Sequence, residues 1–181
     1  MATLAQPPSG IDLSLRRQKW TREEINGLLE SGYLDGQRFE LIDGELIDKM
    51  GQGPRHASAI RRLQIQVVKT FGVERWLVQA PIEAGPGDQR WSQPEPDLAV
   101  LAVAGSFPSR RPGGHELTLA VEVADSSLRQ DSVRKRDMYA HAGIPEYRVL
   151  DLDGRAYTES LTLGETEPVP HLKVSVAELL G

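Results

Sequence analysis

The run Leu117-Thr118-Leu119-Ala120-Val121-Glu122-Val123 constrains this chain more than any other stretch. In a strand successive side chains alternate between faces, so Leu117, Leu119, Val121 and Val123 share one face, and Thr118, Ala120 and Glu122 the other. The wholly apolar face demands a cover. The opposite face carries a carboxylate, which is expensive to bury without a partner. Glu122 is therefore either exposed on an edge or set against a counter-charge or metal ion.

Around this strand the pattern alternates between periods. Thr21 followed by Glu24 reads as a capping box, with Trp20 and Ile25 placed for a hydrophobic staple, and predicts a short helix to about residue 30, stopped by Gly32. Asp43-Gly44 between two strand-like runs predicts a hairpin over 38–50. Ile60, Leu63, Gln64, Val67, Val68 and Phe71 fall at helical spacing, predicting a helix over 56–71 ended by Gly72. Its other face carries Arg55, Arg61, Arg62 and Lys69, the clearest basic cluster in the chain.

Apolar, β-branched runs at 75–82 and 97–103 predict two strands before the one at 116–123, with the Pro/Gly-rich stretch 105–114 as a loop. Ser127 with Gln130 predicts a helix to about 142, terminated by Gly143 and Pro145. Strands at 146–152 and 155–163 flank an Asp153-Gly154 turn, and 172–180 reads as a strand or one helical turn. The order is helix, hairpin, helix, three strands, helix, two strands. It predicts a mixed α/β fold, one central sheet with helices against it. Residues 1–18 offer no periodic apolar face and read as a flexible segment ahead of a single domain over 19–181.

At 181 residues with 39% hydrophobic and 26% charged composition, the chain can bury a core. It has no apolar run of membrane-spanning length and no apolar leader in its first ten residues, so a soluble cytoplasmic protein is expected. The absence of cysteine excludes disulfides, thiolate metal ligands and a thiol nucleophile, so any metal must be held by oxygen or imidazole. A net charge of −5 and a pI near 5.4 argue against a surface that is basic throughout. Neither GxxxxGK[ST] nor GxGxxG occurs, GxSxG is absent, and the four histidines show no HExxH spacing.

What remains is acidic. In Pro94-Glu95-Pro96-Asp97-Leu98-Ala99-Val100 the prolines interrupt pairing and deliver a carboxylate at the start of a buried strand. If that strand neighbours the one bearing Glu122, the two carboxylates converge. With the Val123 carbonyl and waters they would form a hard-oxygen site for Mg²⁺ or Mn²⁺. Such an ion lowers the pKa of a bound water and neutralises charge on a phosphodiester. Lys135 is the candidate for orienting that water. Blander readings stand beside each: Asp97 as a strand-entry residue, Lys135 as a surface pair with Asp131, His56 as a capping or surface residue. Glu40 is equally readable as a sheet residue facing water, and Arg61, Arg62 and Lys69 as a solvated helix face.

Taken in order, FELIDGEL, His56 at the head of a helix, PEPDLAVL, LAVEVADSS, then Asp131, Lys135, Tyr139 and AGIPEYRVLD resemble the Uma-two family of putative restriction endonucleases, over roughly 38–151. The resemblance implies a restriction-endonuclease-like mixed central sheet flanked by helices, of the PD-(D/E)XK superfamily, whose members mostly cut DNA using Mg²⁺. Pro96-Asp97 then matches the PD element and Glu122-Val123-Ala124 matches (D/E)XK. Ala124 stands in the place of the motif lysine, and Lys135 matches the lysine that the family pattern has on the following helix. Glu40 matches an acidic residue before the turn, an accessory ligand for metal or water.

The first functional expectation is thus a Mg²⁺-dependent DNA endonuclease in which Asp97, Glu122 and Val123 bind the ion. Arg61, Arg62, Lys69 and the Arg110-Arg111 loop are its candidate phosphate contacts. The alternative is a non-catalytic binding or assembly module that keeps the fold, favoured by Ala124 and the negative charge. A third reading is a metal-dependent phosphodiesterase acting on RNA or a small phosphate ester. A homodimer is implied by the resemblance alone.

Overall fold

Thr21 caps α1 (Arg22–Glu30): its side chain accepts from the Glu24 amide while the Glu24 carboxylate accepts from the Thr21 amide, closing the capping box in a computed structural model of the chain. The structure describes residues 19–49, 53–105, 109–124, 129–153, 156–161 and 179. Trp20 packs against Ile25, as a staple requires, in a small cluster with Leu34 and Leu41. The segment 1–18, Ser127 and the tail 172–180 other than Leu179 lie outside the described residues.

Next come β1 (Phe39–Ile42) and β2 (Glu45–Asp48), paired antiparallel across Asp43-Gly44. Both turn residues have positive φ, 50° and 78°, the requirement that makes Asp-Gly the favoured pair. Gly44 is doubly constrained, since a Cβ there would stand 2.6 Å from Lys19 Cβ. The hairpin is a separate two-stranded sheet joined to the rest through a Leu41–Gln93 bridge.

The five-stranded sheet has the order β3 (Trp76–Val78), β4 (Leu98–Leu101), β5 (Leu117–Ala124), β6 (Glu146–Asp151), β7 (Ala156–Leu161). Only β5 and β6 run parallel, joined by α3 (Arg129–Ala142), so the sheet is mixed. α2 (Pro54–Phe71) begins two residues earlier than its apolar period suggests, with Pro54 in the first turn where its missing N–H costs nothing. The predicted strand at 75–82 shrinks to three residues because Gln79 turns left-handed at φ 48°. The strand after Asp97 ends at Leu101 rather than 103, following a register shift between Val100 and Leu101.

Each sheet face has its own core. Leu119, Val121 and Val123 pack under α2 through Ile60, Leu63 and Val67, with Leu179 joining them. Ala120 and Tyr147 pack under α3 through Met138 and Tyr139. The central position of β5, paired on both sides, rules out the exposed-edge reading of Glu122. No helix among the described residues is long and apolar enough to cross a membrane.

Candidate functional site

Antiparallel register sets Leu98 opposite Val121, which carries Asp97 across from Glu122 where β4 begins. One step further, Pro96 falls opposite Val123. Proline has no N–H to give, so the Val123 carbonyl lacks a ladder donor and faces His56 Nε2 at 3.1 Å instead. The Asp97 side chain replaces the missing strand on the other group: its Oδ2 accepts from the Val123 amide at 2.8 Å.

Glu40 arrives from β1. Its Oε2 accepts from the Glu95 amide at 3.2 Å, and its Oε1 lies 2.6 Å from Lys135 Nζ. Lys135 reaches down from α3 to touch Glu122 Oε1 at 3.0 Å as well. One turn along the helix, Tyr139 donates its hydroxyl to the same oxygen at 2.7 Å. Both donors fall on Oε1, so Oε2 of Glu122 is the oxygen without a donor among the described residues. Glu40, Asp97, Glu122 and Lys135, 4, 2, 6 and 5% exposed, are therefore gathered in one buried cluster. This excludes the readings of Glu40 as a water-facing residue and of Lys135 as a surface lysine.

Three further residues belong to the cluster. Lys49, just past β2, donates to the Glu95 carbonyl and lies 3.7 Å from Asp97 Oδ1. His56 is 3% exposed, neither cap nor surface residue, with Nε2 3.3 Å from Asp97 Oδ2. Tyr139 is the third. Each was marked by a face: Lys49 lies two residues beyond the inward Ile47, His56 heads the stripe of Ile60, Leu63 and Val67, and Tyr139 follows Lys135 by four.

Three carboxylates share two ammonium groups here, and the imbalance falls on Glu122. Burial pushes its pKa up to about 7; Lys135 opposes the rise, while Asp97 and Glu40 add to it. Burial also works against Asp97, but the bond from His56, the Lys49 charge and the Val123 amide pull it down to about 2. Lys135, despite burial, is held above the ordinary lysine range by Glu122 and Glu40 and stays an ammonium.

These shifts have opposite consequences for stability. Because folded Glu122 binds its proton more tightly than the unfolded chain, its contribution is present below about pH 4.5 and is lost as pH rises towards 7. Asp97 contributes above about pH 3.8 and loses its contribution as pH falls towards 2. Urea unfolding in EDTA should therefore show stability falling from pH 5 to pH 7. Glu122→Gln should flatten that slope; an unchanged slope would place the titration elsewhere.

The basic candidates lie apart from this cluster. On α2, Arg61, Arg62 and Lys69 are turned roughly 120–140° around the helix axis from His56, and Lys69 lies about 20 Å along it. Arg61 and Lys69 are exposed, while Arg62 donates to the Leu179 carbonyl. The Arg110-Arg111 loop stands at the far end of β5, about 20 Å from Glu122, where Arg110 makes a two-pronged pair with Glu116. The Asp131 side chain lies outside the described residues.

Residues 28–173 match the family described as "Uma2: Putative restriction endonuclease". A crystal structure described as a putative nuclease from Anabaena variabilis superposes with a TM-score of 0.63, covering 80% of this chain and 90% of that one at 14% identity. No curated protein matches the chain.

Proposed function

The chain belongs to the Uma2 family of restriction-endonuclease-like proteins, and from that premise we propose that it is a Mg²⁺-dependent endonuclease, of the PD-(D/E)XK type, hydrolysing DNA phosphodiester bonds. The observation that carries the reading is the buried meeting of Glu40, Asp97 and Glu122 around Lys135, at the point where Pro96 leaves the Val123 carbonyl without a strand partner.

The donor set fits a hard cation. Among the described residues no three acidic or imidazole side chains are already spaced around one ion. Mg²⁺, however, is usually held through one or two carboxylates with water filling its remaining positions. Asp97, the donor-free Oε2 of Glu122 and the Val123 carbonyl would hold it, and a divalent ion would offset both the burial that pushes Glu122 up and the charge of Asp97 and Glu40 that adds to the rise. When bound, the ion would acidify a water and offset charge on the phosphodiester.

The protein's own groups divide the remaining work. Lys135 is too firmly protonated to accept a proton, so it acts as a donor that orients the attacking water and stabilises the added negative charge. It takes the role that Ala124, 2% exposed and without a polar group, leaves vacant. Glu40 fixes the Lys135 ammonium, and Tyr139 fixes one oxygen of Glu122 so that the other is presented. A phosphate held by Arg61, Arg62 or Lys69 would lie well away from the scissile one, given the face they occupy.

Plasmid nicking with Mg²⁺ or Mn²⁺ tests this. Wild type should cut, while Asp97→Ala and Glu122→Ala should lose cleavage and also the rise in melting temperature on adding metal. Equal cleavage by all three would remove the assignment. The second reading, a nuclease fold used only for binding or assembly, is favoured by Ala124; metal-dependent stabilisation without any cleavage would select it.

A further inference from the structure

We infer that His56 contributes its Nε2 to the same cation, so that the site takes Mn²⁺ or another first-row transition ion in preference to Mg²⁺. This rests on the metal-site reading above and specifies its ion.

Geometry comes first. His56 Nε2 lies 3.1 Å from the Val123 carbonyl oxygen and 3.3 Å from Asp97 Oδ2. An octahedral ion with ligands at about 2.1 Å sets neighbouring ligand atoms about 3 Å apart, so Nε2 already stands at the spacing of an adjacent vertex from each of the two oxygens. Those oxygens belong to Asp97 and the Val123 carbonyl, the groups assigned to the metal on other grounds. Asp97 turns its other oxygen, Oδ1, towards Lys49, which keeps that ammonium on the opposite side of the carboxylate.

Topology supplies the second argument. His56 comes from α2, packed on the face of β5 that carries Val121 and Val123, whereas Glu122 points to the face under α3. A cation on Asp97 and the Val123 carbonyl is thus flanked by imidazole on one side and carboxylate on the other. The carbonyl is available because Pro96, not an N–H, stands opposite it.

The third observation concerns the ring itself. Nδ1 is buried and has no hydrogen-bond partner among the described residues. The proton's position on a histidine is normally fixed by the bond its other nitrogen makes. Without the ion Nε2 carries the proton, because both groups it faces, the Val123 carbonyl and Asp97 Oδ2, are acceptors. No bond at Nδ1 opposes moving that proton there, which would free the Nε2 lone pair for a cation. An imidazole nitrogen suits transition ions, whereas Mg²⁺ demands oxygen, so this ligand discriminates between them.

The test uses Mn²⁺ alone, without nucleic acid. Pulsed electron paramagnetic resonance of the Mn²⁺-loaded protein should show nitrogen coupling from a directly bound imidazole. That coupling should be absent in His56→Gln, whose amide keeps a donor towards Asp97 and Val123. Mn²⁺ affinity by titration calorimetry should fall at least tenfold in His56→Gln, by comparison with the roughly 10–100-fold cost of losing even an outer partner of a ligand. Mg²⁺ affinity should change by less than about threefold, since water replaces the nitrogen at an ion that keeps several waters anyway. Bound Mn²⁺ without nitrogen coupling, or coupling that persists in His56→Gln, overturns the inference and leaves the oxygen site standing. No Mn²⁺ bound at millimolar concentration overturns the inference and the metal-site reading together, and Asp97→Asn as a non-binding control separates the two cases.

Discussion

Replacing Lys135 with alanine should cost about 3 to 5 kcal/mol of unfolding free energy at pH 8, the range for removing one partner of a buried ion pair. Among the described residues Lys135 is the sole ammonium within 3.0 Å of both Glu40 and Glu122, and both carboxylates are almost wholly buried. Without it each must either stay charged in a low-dielectric site or take up a proton against the solution pH. The loss should accordingly shrink at pH 5, where protonation is easier, and it should shrink when the charges are removed by Glu40→Gln and Glu122→Gln in the same chain. Urea titrations of the single and triple variants at both pH values provide the check. A loss below about 1 kcal/mol at pH 8 would mean that the ammonium does not bridge the two carboxylates in solution. Cleavage should disappear in Lys135→Ala whichever way the stability falls, so the unfolding measurement, not the activity, bears on the wiring of the cluster.

The same lysine shows where the sequence was informative and where it was not. Asp43-Gly44, the Thr21–Glu24 box and the stripe from Ile60 to Val67 each encode a local geometry in a few neighbouring residues, and the hairpin, α1 and α2 follow. Pro96-Asp97 and Glu122 were legible for a related reason: prolines and an acid within apolar runs violate the local rule, and such violations mark sites. The partner of Glu122 was harder to find, because the i, i+4 spacing of Asp131 and Lys135 fits a surface pair equally well and only the packing of α3 decides which way the lysine points. Lys49 and His56 depend on tertiary pairing still more. Lys49 is an unremarkable charge after a short strand until the hairpin is laid beside Pro94–Asp97, and the Val123 carbonyl is short of a donor only because the register puts Pro96 opposite it. The basic face of α2 is legible as a stripe of charge, and helical geometry turns it away from His56.

Arg148→Ala should also destabilise the protein by about 3 to 5 kcal/mol, through a pair outside the residues proposed for the site. Arg148 and Glu146, two apart on β6 and therefore on one face, are bonded through Nε and are fully buried. Truncation would leave the Glu146 carboxylate in the same interior without its guanidinium. β6 runs parallel to β5 in the register Leu119–Glu146 through Ala124–Asp151, so the pair lies beside the strand that presents Glu122 and the Val123 carbonyl. Arg148→Lys retains the charge but not the planar, forked donor and should recover only part of the loss. If Arg148→Lys matches wild type in urea unfolding, a point charge suffices and guanidinium geometry is irrelevant. If Arg148→Ala matches it, the pair adds nothing net to the folded state. Where the fold survives, both variants should bind Mn²⁺ like wild type, because the residues assigned to the ion approach from α2, β4 and β5, with β6 supporting them from the side.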